Sequence, residues 1–138
     1  HVRSRRQRQM CIRADNIVHL FESSIDLLSF ATLLSLENRN WREENLLSLG
    51  GIYSSKYDLE KTKIPVSLTE FLEKNPNVNE IHLHLDRDLA GRNASAFFQQ
   101  VLSEKYKVFD RPMPYGKDVN EYLCLKKGIK KMEKERTR

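Results

Sequence analysis

The sequence predicts an α/β domain, with a doubly wound, Rossmann-like sheet of about four mainly parallel strands and helices on both faces. Short apolar and β-branched runs alternate along the chain with segments whose apolar residues recur every three or four positions. Turn-forming pairs such as Gly50-Gly51 and Asn75-Pro76 separate these segments. Strands that alternate with helices are typical of a parallel sheet with crossover connections.

The predicted strands are short and mostly apolar, at 17–21, 46–49, 81–85 and 106–109. A further edge strand is predicted at 10–13, ahead of a turn at Asp15-Asn16. The third strand has the clearest pattern, because apolar and histidine side chains alternate from Ile81 to Leu85.

The predicted helices lie at 25–36, 67–74, 90–102 and from Asp118 onward. Ser23 or Ser24 is expected to cap the first of them. Its apolar residues are expected to form one broad inner face, made of Ile25, Leu28, Phe30, Leu33, Leu34 and Leu36. A polar segment at 53–63 separates the second strand from the second helix.

Histidines on two predicted strands offer two interpretations. His82 and His84 point the same way on the third strand, and His19 lies on the first. A zinc site is one interpretation, but the neighbouring sequence supplies no cysteine. We therefore expect these side chains to pack beneath a helix and to hydrogen-bond.

Length and composition predict a single globular domain. The chain has 138 residues, of which 39% are hydrophobic and 31% charged. No apolar run reaches membrane-spanning length and no signal peptide pattern opens the chain, so a cytoplasmic protein without a membrane partner is expected. Cys11 and Cys124 are predicted to be free thiols. Because the sequence starts at His1 rather than methionine, we expect a piece of a longer protein.

The positive charge is concentrated at the two ends. Residues 1–9 carry +4 and residues 126–138 carry +5, which leaves the body at 10–125 with −4. We divide the chain into a basic amino-terminal segment with an edge strand (1–15), a folded domain (16–125) and a basic carboxyl-terminal helix or tail (126–138). Contact with nucleic-acid phosphates and simple solvation are both open interpretations of these ends.

Conspicuous residues follow each predicted strand at its carboxyl end. Glu22 ends the first strand, Gly50-Gly51 the second and Asp86 with Asp88 the third, while Lys117-Asp118 comes after the fourth. In a doubly wound sheet these ends border the functional crevice. Two carboxylates so close together are costly to hold unless a cation lies between them, and oxygen ligands suit Mg²⁺. A solvated turn explains the aspartate pair taken alone, but the shared edge favours a site.

Four motifs in this order resemble the Toprim domain shared by bacterial primases, type IA and type II topoisomerases, and certain nucleases and recombination proteins. FESSID contains Glu22, LLSLGG contains the glycine pair, LHLDRDLAG contains Asp86 and Asp88, and GKDVNEY is similar to a later primase segment. The resemblance spans 17–125 and is closest to Toprim-like domains encoded by bacterial plasmids and conjugative elements. The interval from Glu22 to Asp86 is longer than in the family pattern, and the zinc-binding and full catalytic modules of primases are absent from the sequence.

The resemblance implies Mg²⁺-dependent phosphoryl or nucleotidyl transfer on DNA, with Mn²⁺ as a substitute. Asp86 and Asp88 would hold one or two ions, and Asp118 is a further candidate ligand. Glu22 would be a metal ligand or the catalytic general acid or base.

Other residues are assigned supporting roles. Lys117, Arg92 and Arg87 are candidates for phosphate contacts, although ordinary surface charge explains them equally well. Gly50, Gly51 and Gly91 are assigned to tight backbone turns.

The implied function is that of a primase-like or nickase-like module cut from a larger protein of DNA replication or mobilisation. Its expected partners are DNA, with single strands or an RNA primer included, and the other domains of the parent protein. The isolated chain is expected to have little activity. A non-catalytic nucleic-acid-binding module is the alternative. A receiver-type regulator is disfavoured, because receivers place their paired acids after the first strand.

Overall fold

One parallel sheet forms the centre of the computed structural model, which describes residues 16–50 and 64–128. Its strands run in the order β2-β1-β3-β4 and every neighbouring pair is parallel. The strands are β1 at Ile17–Phe21, β2 at Asn45–Ser48, β3 at Glu80–Leu83 and β4 at Lys107–Asp110. The predicted fold class is therefore confirmed. The edge strand predicted at 10–13 and the turn residue Gly51 lie outside the described residues.

Helices connect the strands at nearly the predicted positions. They are α1 at Ser24–Leu36, α2 at Val66–Lys74, α3 at Leu89–Leu102 and α4 at Val119–Lys126, with a 3₁₀ turn at Trp41–Glu43. The Ser23 side chain caps α1 by accepting a hydrogen bond from the Asp26 backbone N–H, as one of the two expected serines. None of these helices is long and apolar enough to cross a bilayer.

The two faces of the sheet carry separate apolar layers. On one face, strand residues such as Val18 and Ile81 pack with Leu68 of α2 and Phe98 of α3. On the other face, Phe21, Leu33 and Val119 form a smaller cluster beneath α1 and α4. Burial of apolar residues on both faces leaves the carboxyl ends of the strands as the edge where polar groups can meet.

The broad inner face predicted for α1 is only partly correct. Leu33 and Leu34 are buried, but Ile25, Leu28 and Leu36 are 58%, 63% and 54% exposed. The sheet has only four strands and α1 also packs beside α4, so only one side of this helix is covered. Periodicity alone could not indicate which of its apolar residues would face inward.

Two of the three histidines, His19 and His84, pack against Phe30 of α1, as expected. The third, His82, packs against Phe109 of β4. The ring of Phe30 lies 4.6 Å from the ring of His84. His19 Nδ1 and His84 Nε2 are hydrogen-bonded at 2.8 Å. Burial lowers the pKa of His84 to about 3, so this ring is neutral at physiological pH.

Candidate metal centre

Adjacent parallel strands bring Glu22 and Asp86 together. Glu22 directly follows β1, and Asp86 lies three residues beyond the end of β3, which pairs with β1. The Asp86 backbone N–H donates a hydrogen bond of 2.8 Å to Glu22 Oε2. These two strand ends therefore meet at one edge of the sheet, as expected.

Asp88 completes a compact group of carboxylates. One oxygen from each of Glu22, Asp86 and Asp88 lies within 4.8 Å of the other two. Asp88 also caps α3, because its Oδ1 accepts a 2.8 Å hydrogen bond from the Gly91 N–H. The cap holds this side chain in place while its second oxygen faces the open side of the cluster, 3.8 Å from Lys117 Nζ.

A second group shares Asp86 and adds a residue that sequence reasoning missed. Oxygens of Asp26, Asp86 and Asp118 also lie within 4.8 Å of one another. Asp26 lies in the first turn of α1 and is only 3% exposed. The sequence signal that could have identified Asp26 was its position four residues after Glu22. However, an acidic residue in the first turn of a helix is ordinarily explained by its favourable interaction with the helix dipole.

Hydrogen bonds hold the second group at the ends of two helices. The Asn120 N–H donates to Asp26 Oδ1 at 3.1 Å, and the Ser23 hydroxyl donates to Oδ2 at 3.0 Å. Asp118 caps α4 by accepting a 2.8 Å bond from the Glu121 N–H. Burial is the main reason that the pKa of Asp26 lies above its ordinary value.

The electrostatics of Asp86 favour a bound cation. Burial raises the pKa of Asp86 to about 8, with further contributions from Glu22, Asp118 and Asp88. Its Oδ1 is buried and has no hydrogen-bond partner in the described part of the chain. An unsatisfied carboxylate oxygen among other carboxylates is unfavourable unless a proton or a metal ion compensates it. The oxygen-only donor set therefore fits a hard divalent ion such as Mg²⁺ or Mn²⁺.

The predicted phosphate-binding cations occupy different surroundings. Lys117 is at the rim beside Asp88, and its side chain is 57% exposed. Arg87 is exposed, and one guanidinium nitrogen donates to the Pro114 carbonyl at 3.0 Å. The Arg92 guanidinium instead points inward, to Asp110 Oδ2 at 2.6 Å and to the Asp86 carbonyl at 3.2 Å. Arg92 thus ties the loop after β3 to β4, and a phosphate would have to compete with those contacts.

Two glycines have different physical roles. Gly50 has a φ of 69°, in the left-handed region expected for the predicted turn after β2. Gly91 is not in a turn, in contrast to the prediction, because it lies in the first helical turn of α3. A Cβ atom there would lie 2.2 Å from the Asp86 carbonyl oxygen. The missing side chain therefore allows α3 to approach the Asp86 backbone.

The fold and this edge define an α/β domain whose carboxylates gather at the carboxyl ends of adjacent parallel strands. The chain belongs to the Toprim-like family, whose sequence profile matches residues 19–123. This match confirms the resemblance found in the four motifs and leaves no support for a receiver-type regulator. No curated protein matched the chain. Family membership and the carboxylate groups together indicate a metal-dependent nucleic-acid-processing module.

Proposed function

We propose that this domain is the Mg²⁺-dependent phosphoryl-transfer module of a larger primase-like or nickase-like protein that acts on DNA. The observation that carries the proposal is the group of Glu22, Asp86 and Asp88, with an unpartnered buried oxygen on Asp86. Three carboxylates that converge at a strand end are unfavourable unless a proton or a cation compensates their charge. Mn²⁺ is expected to substitute for Mg²⁺.

Each carboxylate has a role consistent with its contacts. Asp86 and Asp88 would hold the ion, and Asp26 and Asp118 supply further oxygens on the other side of Asp86. Glu22 has one oxygen fixed by the Asp86 N–H, so the other is free to bind the ion or to move a proton at the reacting oxygen. When bound, the ion would neutralise charge on a DNA phosphate and help to orient it.

Phosphate recognition is assigned to the rim of the cluster. Lys117 and Arg87 are the exposed cations there, and the Arg87 N–H also bonds the Lys117 carbonyl at 2.7 Å. This bond joins the loop after β3 to the loop before α4. A phosphate contacting both side chains would therefore lie next to Asp88.

Positioning of the DNA is assigned to regions outside this acidic body. Residues 10–125 carry a net charge of −4, which disfavours unaided docking of a polyanion. The basic ends and neighbouring domains of a parent protein would provide the positive surface. Because positioning supplies much of phosphoryl-transfer catalysis, we expect little turnover from the isolated chain.

The proposal is tested in the full-length parent protein. Time courses on supercoiled plasmid and on primed and unprimed single strands, with Mg²⁺ or Mn²⁺, should show activity that Glu22→Gln abolishes. Glu104→Gln is the matched control, because this exposed residue follows α3 at the opposite end from Asp88. Full activity in Glu22→Gln would refute the catalytic proposal.

A non-catalytic nucleic-acid-binding module is the second candidate. It is favoured by one observation, namely that Asp88 and Asp118 both have a structural task as helix caps. Under this alternative, Glu22→Gln would leave any activity of the parent unchanged while removal of the rim cations would weaken DNA binding.

A further inference from the structure

A second cluster of metal-ligating side chains lies on the sheet face beneath α1. We call His19, His82 and His84 the histidine cluster. His19 and His82 face each other as register partners on β1 and β3, and His84 lies two residues beyond His82. One nitrogen from each ring lies within 4.8 Å of a nitrogen from the other two rings. The nucleic-acid chemistry proposed above makes no use of this cluster.

Each of these rings has one nitrogen facing an oxygen acceptor at the edge of the cluster. His84 Nδ1 is 2.9 Å from the Arg111 carbonyl oxygen, which can only accept a hydrogen bond. His82 Nε2 is 2.6 Å from Glu80 Oε2. The third ring, His19, has its Nε2 at 3.6 Å from Glu44 Oε2.

Two of these contacts determine which ring nitrogens carry protons. A carbonyl or carboxylate oxygen requires an N–H on the nitrogen that is hydrogen-bonded to it, so His84 Nδ1 and His82 Nε2 carry the protons of their rings. In a neutral ring the other nitrogen then presents a lone pair, here His84 Nε2 and His82 Nδ1. His19 Nε2 is 3.6 Å from Glu44 Oε2, too far for a hydrogen bond, so this contact does not fix the proton of His19.

The third ring, His19, is hydrogen-bonded to one of these lone pairs. His19 Nδ1 and His84 Nε2 are 2.8 Å apart, so without a metal ion His19 Nδ1 donates its proton to the His84 lone pair. A metal ion would take the place of this proton and would also bind His82.

From this geometry we propose that the histidine cluster is a binding site for an imidazole-preferring divalent ion, of which Zn²⁺ is the best example. Its ligands would be His19 Nδ1, His82 Nδ1 and His84 Nε2. Proteins hold zinc-ligating histidines through a carboxylate or carbonyl on the second ring nitrogen. His82 and His84 have such a hydrogen-bonded acceptor, and His19 Nε2 lies 3.6 Å from the Glu44 carboxylate. Zn²⁺ with three histidines leaves one position of its tetrahedron for water.

Binding requires only a small rearrangement. Tetrahedral ligands at about 2.05 Å from zinc are roughly 3.3 Å apart, so the rings of His19 and His84 would separate by about half an ångström. His82 is the most accessible ring, with a side chain 16% exposed, and it provides the route by which an ion would enter. Glu44 also pairs with Arg39, whose Nη2 lies 2.7 Å from Glu44 Oε1. Of the three acceptors, Glu44 therefore holds its histidine ring, that of His19, least strongly.

The test uses the full chain in a background that disables its other candidate metal sites. The background carries Glu22→Gln and Asp86→Asn, which replace two carboxylates including the one shared by both acidic groups. Cys11→Ser and Cys124→Ser remove both thiols, and His1→Ala removes the remaining histidine. Visible absorption on titration with Co²⁺ reports tetrahedral nitrogen ligation. Equilibrium dialysis with Zn²⁺ gives the stoichiometry, and thermal melting gives the effect on stability.

We expect one equivalent of Zn²⁺ to bind in this background and to raise Tm. His82→Gln should remove both effects, and circular dichroism without metal checks that this variant is folded. Glu80→Gln keeps all three rings but replaces the outer carboxylate by a neutral amide, a weaker acceptor, so it should weaken Zn²⁺ binding about 10- to 100-fold. Glu104→Gln should change nothing.

Two results would overturn the proposal. One is the absence of a Co²⁺ spectrum and of bound Zn²⁺ in the background chain. The other is Zn²⁺ binding that persists unchanged in both His82→Gln and Glu80→Gln. Either result assigns the cluster to a hydrogen bond between His19 and His84. Neither depends on the proposed DNA chemistry, since Glu22 and Asp86 are already replaced.

Discussion

The Glu22 carboxylate accepts a 2.8 Å hydrogen bond from the Asp86 backbone N–H, although 64 positions separate the two residues in the chain. The bond joins the carboxyl ends of β1 and β3 and orients one Glu22 oxygen toward the Asp86 loop. Two of the proposed metal ligands are therefore positioned by the sheet itself. This arrangement makes the cluster preorganised rather than assembled by the ion.

Replacement of the paired aspartates should abolish binding of the divalent ion. We expect Mn²⁺ calorimetry to show binding by the wild-type chain and none by Asp86→Asn combined with Asp88→Asn, because only carboxylates supply the required charge. Affinity without nucleic acid is expected to be weak, since Mg²⁺ sites often use phosphate ligands as well. Glu104→Gln is the control. Equal heats from wild type and the double variant would show that the pair is not the site.

The metal-free protein should lose stability as pH rises from about 5 to 8. The pKa of Asp86 is about 8 in the folded protein, above its ordinary value of 3.8, because of burial first and neighbouring carboxylates second. Over this range the unfolded chain has already released the proton that the folded protein still holds, so rising pH favours unfolding. Allowing for solvent screening of this half-buried group, we expect a loss of about 1–2 kcal/mol.

Chemical denaturation in EDTA at several pH values measures this effect. Asp86→Asn should flatten the pH dependence and be more stable than wild type at pH 8, because it removes the charge. Added Mg²⁺ should restore wild-type stability at pH 8 and have little effect at pH 5. A stability that increases between pH 5 and 8 would contradict the prediction.

Asp26→Asn tests whether the residue that sequence reasoning missed belongs to the site. An amide oxygen can still accept the Asn120 N–H, so the fold should be kept. If Asp26 supplies charge or a ligand, Mn²⁺ affinity should fall about tenfold or more. Calorimetry measures the affinity and thermal melting checks the fold. Unchanged affinity would confine the site to Glu22, Asp86 and Asp88.

Gly91→Ala should destabilise the protein and disturb the metal centre. The new Cβ would lie 2.2 Å from the Asp86 carbonyl oxygen, and a backbone group must move to relieve the clash. We expect a loss of about 1–3 kcal/mol, despite the better helix propensity of alanine, together with weaker Mn²⁺ binding. Gln99→Ala, an exposed position on the same helix, is the control. Wild-type stability in Gly91→Ala would show that the Asp86 loop can move aside without destabilising the protein.

Removal of the basic ends should weaken DNA binding and reduce its salt dependence. Residues 1–9 and 126–138 together carry +9. For every phosphate that the trimmed chain no longer neutralises, the slope of log K against log salt should fall by about 0.9 on duplex DNA and 0.7 on single strands. Fluorescence anisotropy at several salt concentrations measures the slope for the full and trimmed chains. An identical slope for the full and trimmed chains would show that the basic ends are solvated and do not contact DNA phosphates.

Much of the site was predictable because parallel strands impose a simple rule. The carboxyl ends of parallel strands meet at one edge, so Glu22 and Asp86 could be placed at the same edge from the sequence. The histidines were predicted to pack and hydrogen-bond for a similar reason, since alternate residues of a strand share a face. The local sequence pattern was sufficient to predict features that follow from the repeat of a strand or a helix, such as which residues share a face.

The sequence by itself determined the alternation of strands and helices, a serine cap on the first helix, and the acidic pair at the end of the third strand. These features depend on contacts between near neighbours in the chain. Only the tertiary structure decided that Asp26 meets Asp118, that His19 faces His84, and that one side of α1 stays exposed. Those outcomes depend on which elements pack together. Packing is set by the balance of burial over the whole domain, so no local pattern encodes it.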